Sequence, residues 1–285
     1  MPTVELSAGP IDYEDTGGDG PVLVFLHGLT MDGSVWRHVV AGLRGDYRCV
    51  LPTLPLGGHR RPMRAGADLS LAGIARLVGE FIEALGLADV TLVQNDWGGA
   101  QVLIALGDTS RLARLVITSS EAFDNYPPRP ARVITLLARV PGGLAMLMNL
   151  LRFRAVRRAP GSWGWMSKRP VPDEVMDAWF RPATTDRAIR RDLAKYATSV
   201  PSRQVLLDWA GRSASFGRPV LIVWAGEDRM MPPDHGRRLA GVFQDARLVE
   251  IDDSYTLLPE DQPERLTEVI REFLAAAPTA PQTGQ

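Results

Sequence analysis

Continuous apolar runs recur along the chain and stop at glycine or at a polar residue. Their β-branched and aromatic side chains lack a polar alternation, which is typical of strands buried on both faces, and such strands belong to parallel sheets. Residues 3–16 instead predict a short antiparallel pair of strands, with its turn at Ala8, Gly9 and Pro10. The apolar runs cover residues 21–28, 47–52, 90–94, 112–119, 219–226 and 246–252.

Helical periodicity separates several of these runs. Leu71–Leu85 places an apolar stripe on one helix with Ser70 as its N-cap, and a last helix is predicted from about Pro263 to Ala277. Alternating strands and helices predict an α/β fold, in which helices flank both faces of a mostly parallel central sheet.

The alternation of predicted strands and helices stops between residues 121 and 215. Strand signals vanish there, prolines cluster, and helical patterns rich in Arg, Met and Trp follow. We therefore predict a helical cap inserted over the carboxyl ends of the strands, where open α/β sheets bind ligands. The core then consists of residues 1–120 and 216–277, and residues 278–285, which have no apolar face, are predicted to form a disordered tail.

Composition narrows the class of protein. The 285 residues carry 32 basic and 33 acidic side chains, so no charge excess favours a nucleic-acid partner. The single cysteine, Cys49, excludes an intramolecular disulfide, and we expect neither a metal nor a cofactor. The first 20 residues lack a basic stretch followed by an apolar one, so we expect no secretion signal, and no apolar run is long enough to span a bilayer. We expect a cytoplasmic monomer or homodimer with a small-molecule substrate and no stable membrane association.

Asp96 lies where a strand must turn sharply into a helix, within residues 91–106. Gly98 and Gly99 remove side chains where the two elements crowd. A residue in such a turn is forced into a strained conformation that projects its side chain above the sheet, near the free N–H groups that begin the helix. The alternative is that Asp96 only caps the helix through its side chain.

Three other segments end at the same edge of the predicted sheet. His27-Gly28 follows a strand and precedes Leu29, whose backbone N–H, together with that of Trp97, is expected to form an oxyanion hole. Another buried strand delivers Asp228 to a loop. The third segment, residues 251–266, leads from the last strand into the last helix.

These segments resemble the α/β-hydrolase superfamily, within the group that uses an aspartate nucleophile: haloalkane dehalogenases and epoxide hydrolases. The resemblance covers about residues 4–277 apart from the cap, and Asp96-Trp97-Gly98-Gly99 matches the dehalogenase turn especially well. It implies an α/β-hydrolase fold in which Asp96 attacks a carbon electrophile to form an ester. It also implies that Asp228 is the acid member of the catalytic series and that Trp97 donates its indole N–H to the leaving halide.

The chain departs from the family pattern at three positions. Gln94 replaces a small residue two positions before the nucleophile, and Thr30 replaces the proline of the His-Gly-x-Pro stretch. Thr256 stands where the family carries the catalytic histidine, and a threonine hydroxyl cannot activate water near neutral pH. His59, in the loop after a strand, is the candidate alternative base; its other interpretation is a loop histidine bonded to backbone. His235 is expected to be solvated.

Aromatic side chains from residues 121–215 are candidates for the substrate pocket. Trp163, Tyr126 and Tyr196 are the ones we assign to it, with core packing as the alternative for each. The family implies a second halide donor in dehalogenases and proton-donating tyrosines in epoxide hydrolases. Residues 144–158 are apolar and then basic, as in a helix on a membrane surface, although a cap helix with a solvated basic end is favoured.

The leading hypothesis is a hydrolase that acts on a small apolar carbon electrophile, a haloalkane or an epoxide, through Asp96. The first alternative is a cyclase, lyase or isomerase that uses Asp96 as an acid or base in an apolar pocket. The second is a ligand-binding protein with impaired catalysis, because Thr256 replaces the family histidine.

Overall fold

The structure, a computed structural model, describes residues 1–276 and contains one eight-stranded sheet. The strand order is β1-β2-β4-β3-β5-β6-β7-β8; β1 and β2 pair antiparallel, as do β2 and β4, and all other neighbours are parallel. The strands are β1 Thr3–Leu6, β2 Gly9–Asp15, β3 Val22–Leu26, β4 Arg48–Pro52, β5 Val90–Asp96, β6 Leu112–Ser120, β7 Val220–Ala225 and β8 Ala246–Ile251. The six apolar runs therefore form the parallel part of the sheet, as predicted.

Burial follows position in the sheet. All residues of β5 and β7 are buried, because helices cover both faces of these central strands. β8 is the exception to the prediction of full burial, since most of its residues are half-buried or exposed on the edge of the sheet. The predicted helix after Ser70 forms, and the Ser70 hydroxyl accepts a hydrogen bond from the N–H of Gly73 at 3.1 Å.

Helices cover both faces of the sheet, and they also make up the secondary structure of the segment between β6 and β7. The α-helices are α1 Arg37–Leu43, α2 Leu71–Ala84, α3 Gly99–Ala105, α4 Arg132–Ala138, α5 Gly143–Leu150, α6 Arg154–Arg157, α7 Asp173–Thr185, α8 Arg187–Thr198, α9 Arg203–Arg212, α10 Pro233–Ala240, α11 Leu258–Asp261 and α12 Pro263–Ala275. In the described part of the chain, four short 3₁₀ helices cover Gly33–Trp36, Arg129–Ala131, Trp163–Trp165 and Ser213–Ser215.

The segment between β6 and β7 contains α4–α9 and no strand, and this whole segment lies within the described residues. It packs on the carboxyl edge of the sheet; for example, the N–H of Leu257, beyond β8, donates to the carbonyl of Met166 in this segment at 2.7 Å. Residues 278–285, predicted to be a tail, lie outside the described residues. Within residues 1–276, every helix falls short of the length and apolarity that crossing a membrane requires.

Candidate active site

The turn from β5 to α3 holds Asp96 in a strained conformation. Its φ angle is +63°, in the left-handed region that non-glycine residues seldom adopt. Two glycines make room for the turn. A Cβ on Gly28 would lie 1.8 Å from Asp96 Oδ2, and a Cβ on Gly98 would lie 2.5 Å from the Glu121 carbonyl oxygen. The strain therefore aims the Asp96 carboxylate out of the sheet at a fixed place.

The hydrogen bonds of this turn exclude the interpretation of Asp96 as a helix cap. Asp96 Oδ2 accepts from the backbone N–H of Leu29 at 3.2 Å, and the residue that caps α3 is Gly98. The expected oxyanion hole is only half present, because the Trp97 N–H donates to the Asn95 carbonyl at 2.7 Å. The tight turn draws this N–H back toward its own strand, which leaves Leu29 as the backbone donor at the carboxylate.

Gln94 has a structural reason to be large. Its Oε1 accepts from the N–H of Ala100 in the first turn of α3 at 2.9 Å, and its Nε2 donates to the Ser120 hydroxyl at 2.8 Å. The buried amide thus binds a helix N–H that has no partner within the helix and joins it to the neighbouring strand.

The backbone at Thr30 also explains why this position does not carry the family's proline. Its φ is +61°, and its N–H donates to the Leu56 carbonyl at 2.8 Å. Proline has a fixed negative φ and no N–H, so it satisfies neither condition. A β-branched residue with this φ is strained, and it lies one residue from the N–H that binds Asp96.

The Asp96 carboxylate faces a mainly apolar cavity of about 300 Å³ between the sheet edge and the helical segment that connects β6 to β7. Burial raises the pKa of Asp96 to about 7, the Leu29 N–H opposes this rise, and the charge of Asp228 adds to it. The residues assigned to the site from sequence that line this cavity are Leu29, Asp96, Trp97, Tyr126, Trp163 and Tyr196.

Glu121 lines the same cavity and was missed from sequence. It directly follows β6, whose Ser120 is the register partner of Asp96, and its N–H donates to the Asp96 carbonyl at 2.9 Å. Glu121 Oε2 is buried and has no hydrogen-bond partner among residues 1–276. Burial first, and then the Asp96 charge, raise the pKa of Glu121 well above its usual value. The signal in the sequence was a carboxylate at the carboxyl end of a strand.

Asp228 and Thr256 meet at the carboxyl edge of the sheet, after β7 and after β8. The Thr256 hydroxyl donates to Asp228 Oδ1 at 2.7 Å, and the N–H groups of Met230 and Met231 donate to the same oxygen. Asp228 Oδ2 is buried without a partner within the described part of the chain. Burial raises the pKa of Asp228 against these hydrogen bonds. Neither residue is among those that line the cavity.

The structure places His59 away from the cavity in which a catalytic base would act on an Asp96 ester. Its Nε2 lies 3.3 Å from Asp192 Oδ2, and its Nδ1 accepts from the N–H of Gly57 at 3.2 Å. His59 is buried in this contact between a loop and α8, and it does not line the Asp96 cavity. Among the described residues that do line it, none is a histidine. The expectation for His235 was wrong, because this side chain is buried and packs edge-on against Phe123.

Aromatic side chains that can donate hydrogen bonds line the cavity. The indole N–H groups of Trp97 and Trp163 are buried and have no acceptor among residues 1–276. Tyr126 and Tyr196 pack edge to face with their ring centroids 6.2 Å apart. Burial raises the pKa of both phenols, so both remain protonated at neutral pH and can donate hydrogen bonds. The cavity therefore combines an apolar wall, two carboxyl groups and several hydrogen-bond donors.

Comparisons with known proteins identify the fold family of the chain. A family model for the alpha/beta hydrolase fold matches residues 21–263. Haloalkane dehalogenase 2 from Mycobacterium bovis is 27% identical, covering 93% of this chain and 92% of that protein. A cis-3-alkyl-4-alkyloxetan-2-one decarboxylase from Xanthomonas campestris pv. campestris is 28% identical, covering 94% of this chain and 93% of that protein.

Solved structures lead to the same fold. The haloalkane dehalogenase DbeA from Bradyrhizobium elkani superposes with a TM-score of 0.75 at 21% identity, covering 96% of this chain and 98% of that one. Because the family model spans most of the sequence, the chain belongs to the α/β hydrolase fold family.

Proposed function

We propose that this α/β-hydrolase-fold chain is a hydrolase in which the Asp96 carboxylate attacks a small apolar carbon electrophile, a haloalkane or an epoxide. The observation that carries the proposal is the strained turn, which presents a carboxylate to an apolar cavity. A carboxylate that has lost most of its water is a stronger nucleophile than one in solution, and one Leu29 N–H still orients it. Attack forms an ester between Asp96 and the substrate carbon while the bond from that carbon to its leaving group breaks.

The leaving group takes the electron pair of the broken bond and becomes negatively charged. Hydrogen-bond donors in the cavity are therefore needed to stabilise it. A buried indole N–H without a partner costs about 1–3 kcal/mol, and a departing halide beside Trp97 and Trp163 would remove that cost. An epoxide oxygen requires a proton as well as a hydrogen bond. Tyr126 and Tyr196 supply hydrogen bonds in this role, and a protonated Glu121 supplies the proton.

Hydrolysis of the ester requires a base, and Glu121 is the group that fits. While Asp96 is charged, its repulsion helps to keep Glu121 protonated. Ester formation removes that charge, so the pKa of Glu121 falls and the carboxyl ionises more readily. The Glu121 carboxylate then takes a proton from water as the water oxygen attacks the ester carbonyl. The bond between the ester carbonyl carbon and the alkyl oxygen then breaks, the alkoxide takes the proton of the new Asp96 carboxyl group, and the alcohol leaves with the Asp96 carboxylate restored. This use of one carboxyl as acid and then as base has a precedent in retaining glycosidases.

A second candidate function is acid–base chemistry without addition of water. Two neighbouring carboxyl groups share this environment: burial raises the pKa of Asp96 to about 7, and burial together with the Asp96 charge raises the pKa of Glu121 well above its usual value. Such a pair suits a lyase or isomerase. The relative from Xanthomonas campestris pv. campestris is named as a decarboxylase, which is a non-hydrolytic activity on a similar chain.

Product analysis on a panel of haloalkanes and epoxides separates these functions. Halide release or diol formation that is lost in Asp96→Asn supports the hydrolase. Glu227→Gln is the matched control, because Glu227 is an exposed carboxylate near the same sheet edge. Carbon dioxide release or rearrangement of a β-lactone, without incorporation of labelled water, supports the second candidate. Ligand binding that Asp96→Asn leaves unchanged, with no product from any compound, contradicts both.

A further inference from the structure

The outer surface of the cap exposes two apolar stripes. Val133, Leu136 and Val140 follow helical spacing on and just after α4, and Met146, Leu150 and Phe153 follow it on and just after α5. The two helices pack against each other, so the stripes lie side by side. Leu136 is 62% exposed and Phe153 is 64% exposed, which is unusual for side chains of this kind. Six of the eight large hydrophobic side chains that are exposed among residues 1–276 belong to this surface.

The segment that carries this surface is basic. Residues 125–172 contain nine Arg and Lys residues and no Asp or Glu, while the other 237 residues contain 23 basic and 33 acidic residues. Arg132 and Arg139 are exposed on the face of α4 that carries Leu136, and Arg152 is exposed beside Phe153. These three arginines form no ion pair with any of residues 1–276, whereas Arg154 and Arg158 pair with Asp173 and Arg157 pairs with Asp177. The apolar stripes are therefore flanked by cations without a counter-charge.

We propose that this cap surface, formed by the two stripes and their flanking arginines, binds reversibly to a lipid bilayer that contains anionic headgroups. Apolar side chains next to unpaired arginines on helices that lie flat are the pattern of interfacial membrane binding. A second copy of the chain fits this surface poorly, because pairing the surface with itself would place two basic segments face to face. Within residues 144–158 the membrane-binding groups of this proposal are Met146, Leu150, Phe153 and Arg152, since Arg154, Arg157 and Arg158 are paired with carboxylates.

The cap surface also adjoins the cavity. Val133 is exposed and at the same time lines the cavity, and Leu147 and Leu151 on the other side of α5 line it too. A bilayer bound here would lie next to the cavity wall, where an apolar substrate dissolved in the lipid can enter. This inference does not depend on the chemistry that takes place at Asp96.

Flotation of the full-length protein with vesicles tests the proposal. We expect the protein to float with vesicles of equal parts phosphatidylcholine and phosphatidylglycerol at low ionic strength, and to bind weakly to phosphatidylcholine alone. Arg139→Gln with Arg152→Gln should weaken binding about fivefold for each arginine. Leu136→Ser with Phe153→Ser should weaken it by at least about tenfold. Added salt should reduce binding of the wild type.

Matched controls come from surfaces elsewhere on the chain. Val205→Ser removes a side chain that is 39% exposed on α9, and Arg44→Gln removes an exposed arginine at the end of α1; neither should change flotation. All variants alter exposed side chains and should keep the wild-type melting temperature. Absence of flotation at low ionic strength, or cap variants that float like the wild type, would overturn the proposal. A wild-type dimer in sedimentation velocity that Leu136→Ser with Phe153→Ser converts to monomer would overturn it as well, since the surface would then be a subunit interface.

Discussion

The Asp96 and Glu121 carboxyl groups follow neighbouring strands, face one cavity and repel each other when both are charged. Their backbones are also joined, because the Glu121 N–H donates to the Asp96 carbonyl at 2.9 Å. The two carboxyl groups therefore compete for one proton, which either of them can bind. In the proposed reaction with a haloalkane this proton stays on Glu121 while Asp96 attacks, and the affinity of Glu121 for it falls once Asp96 is an ester.

Asp96 should lower the stability of the fold at neutral and higher pH. Its folded pKa of about 7 lies above the unfolded value of 3.8, so the folded state binds more protons between these limits and stability falls as pH rises. Asp96→Asn should raise the free energy of unfolding by about 2–4 kcal/mol at pH 8 and by almost nothing at pH 4. Urea titrations at the two pH values measure this difference. Asp19→Asn, at an exposed loop position, should show no such dependence.

The rate of ester formation should depend on the ionisation of Asp96. Only the carboxylate attacks, so the single-turnover rate should rise about tenfold per pH unit below pH 7 and level off above it. Rapid-quench measurements with a haloalkane follow this step, since halide departure needs no proton. A rate that stays constant from about pH 5 to about pH 8 would mean that Asp96 is not the titrating nucleophile.

The loop after His27-Gly28 should reject the family's proline. Thr30→Pro removes the N–H that donates to Leu56 and imposes a negative φ where the chain has +61°, so we expect a loss of about 3 kcal/mol or more. Thr30→Gly keeps the N–H and relieves the strain at some cost in chain entropy, so its stability should stay within about 1 kcal/mol of the wild type. Thermal unfolding of both variants checks the pair; equal stability of the two would contradict the loop conformation.

The sequence could predict those parts of the site that depend on local patterns. A buried strand, a glycine-flanked turn and a helix are contiguous around Asp96, so the strained turn could be expected from the sequence. The carboxyl edge where Asp228 and Thr256 meet follows from the parallel strands that deliver them. The sequence, in contrast, does not explain why Gln94 replaces the family's small residue. The structure does, because the Gln94 side chain accepts a hydrogen bond from the N–H of Ala100.

Other parts depend on contacts that no local pattern records. The role of Glu121 arises from the pairing of β5 with β6 and from burial of one oxygen in the cavity wall. His59 was assigned as an alternative base because Asp192, its partner 133 positions away, could not be identified from sequence. The Trp97 N–H was assigned to an oxyanion hole, but the tightness of the turn directs it to Asn95.

An imidazole at position 256 should restore the base that the family uses. Thr256 is buried beside Asp228, whose Oδ2 has no partner among the described residues and can accept an imidazole N–H. The cavity does not reach Thr256, so Thr256→His should lower stability by about 1–3 kcal/mol through overpacking. In a Glu121→Gln background it should accelerate ester hydrolysis about 10²- to 10⁴-fold. A folded double variant that forms the ester and releases it no faster than Glu121→Gln alone would contradict this placement.

The measurement that tests nucleophilic attack by Asp96 most directly is intact-mass spectrometry of Glu121→Gln after incubation with a haloalkane. Attack needs no proton from Glu121, whereas release needs Glu121 as base, so the variant should accumulate an adduct with the mass of the alkyl group. Peptide mapping should place that group on Asp96, and Asp96→Asn should remain unmodified. Glu227→Gln should turn over like the wild type without accumulating the adduct. An unmodified Glu121→Gln protein that still releases halide, or an alkyl group on any residue other than Asp96, would contradict the proposed mechanism.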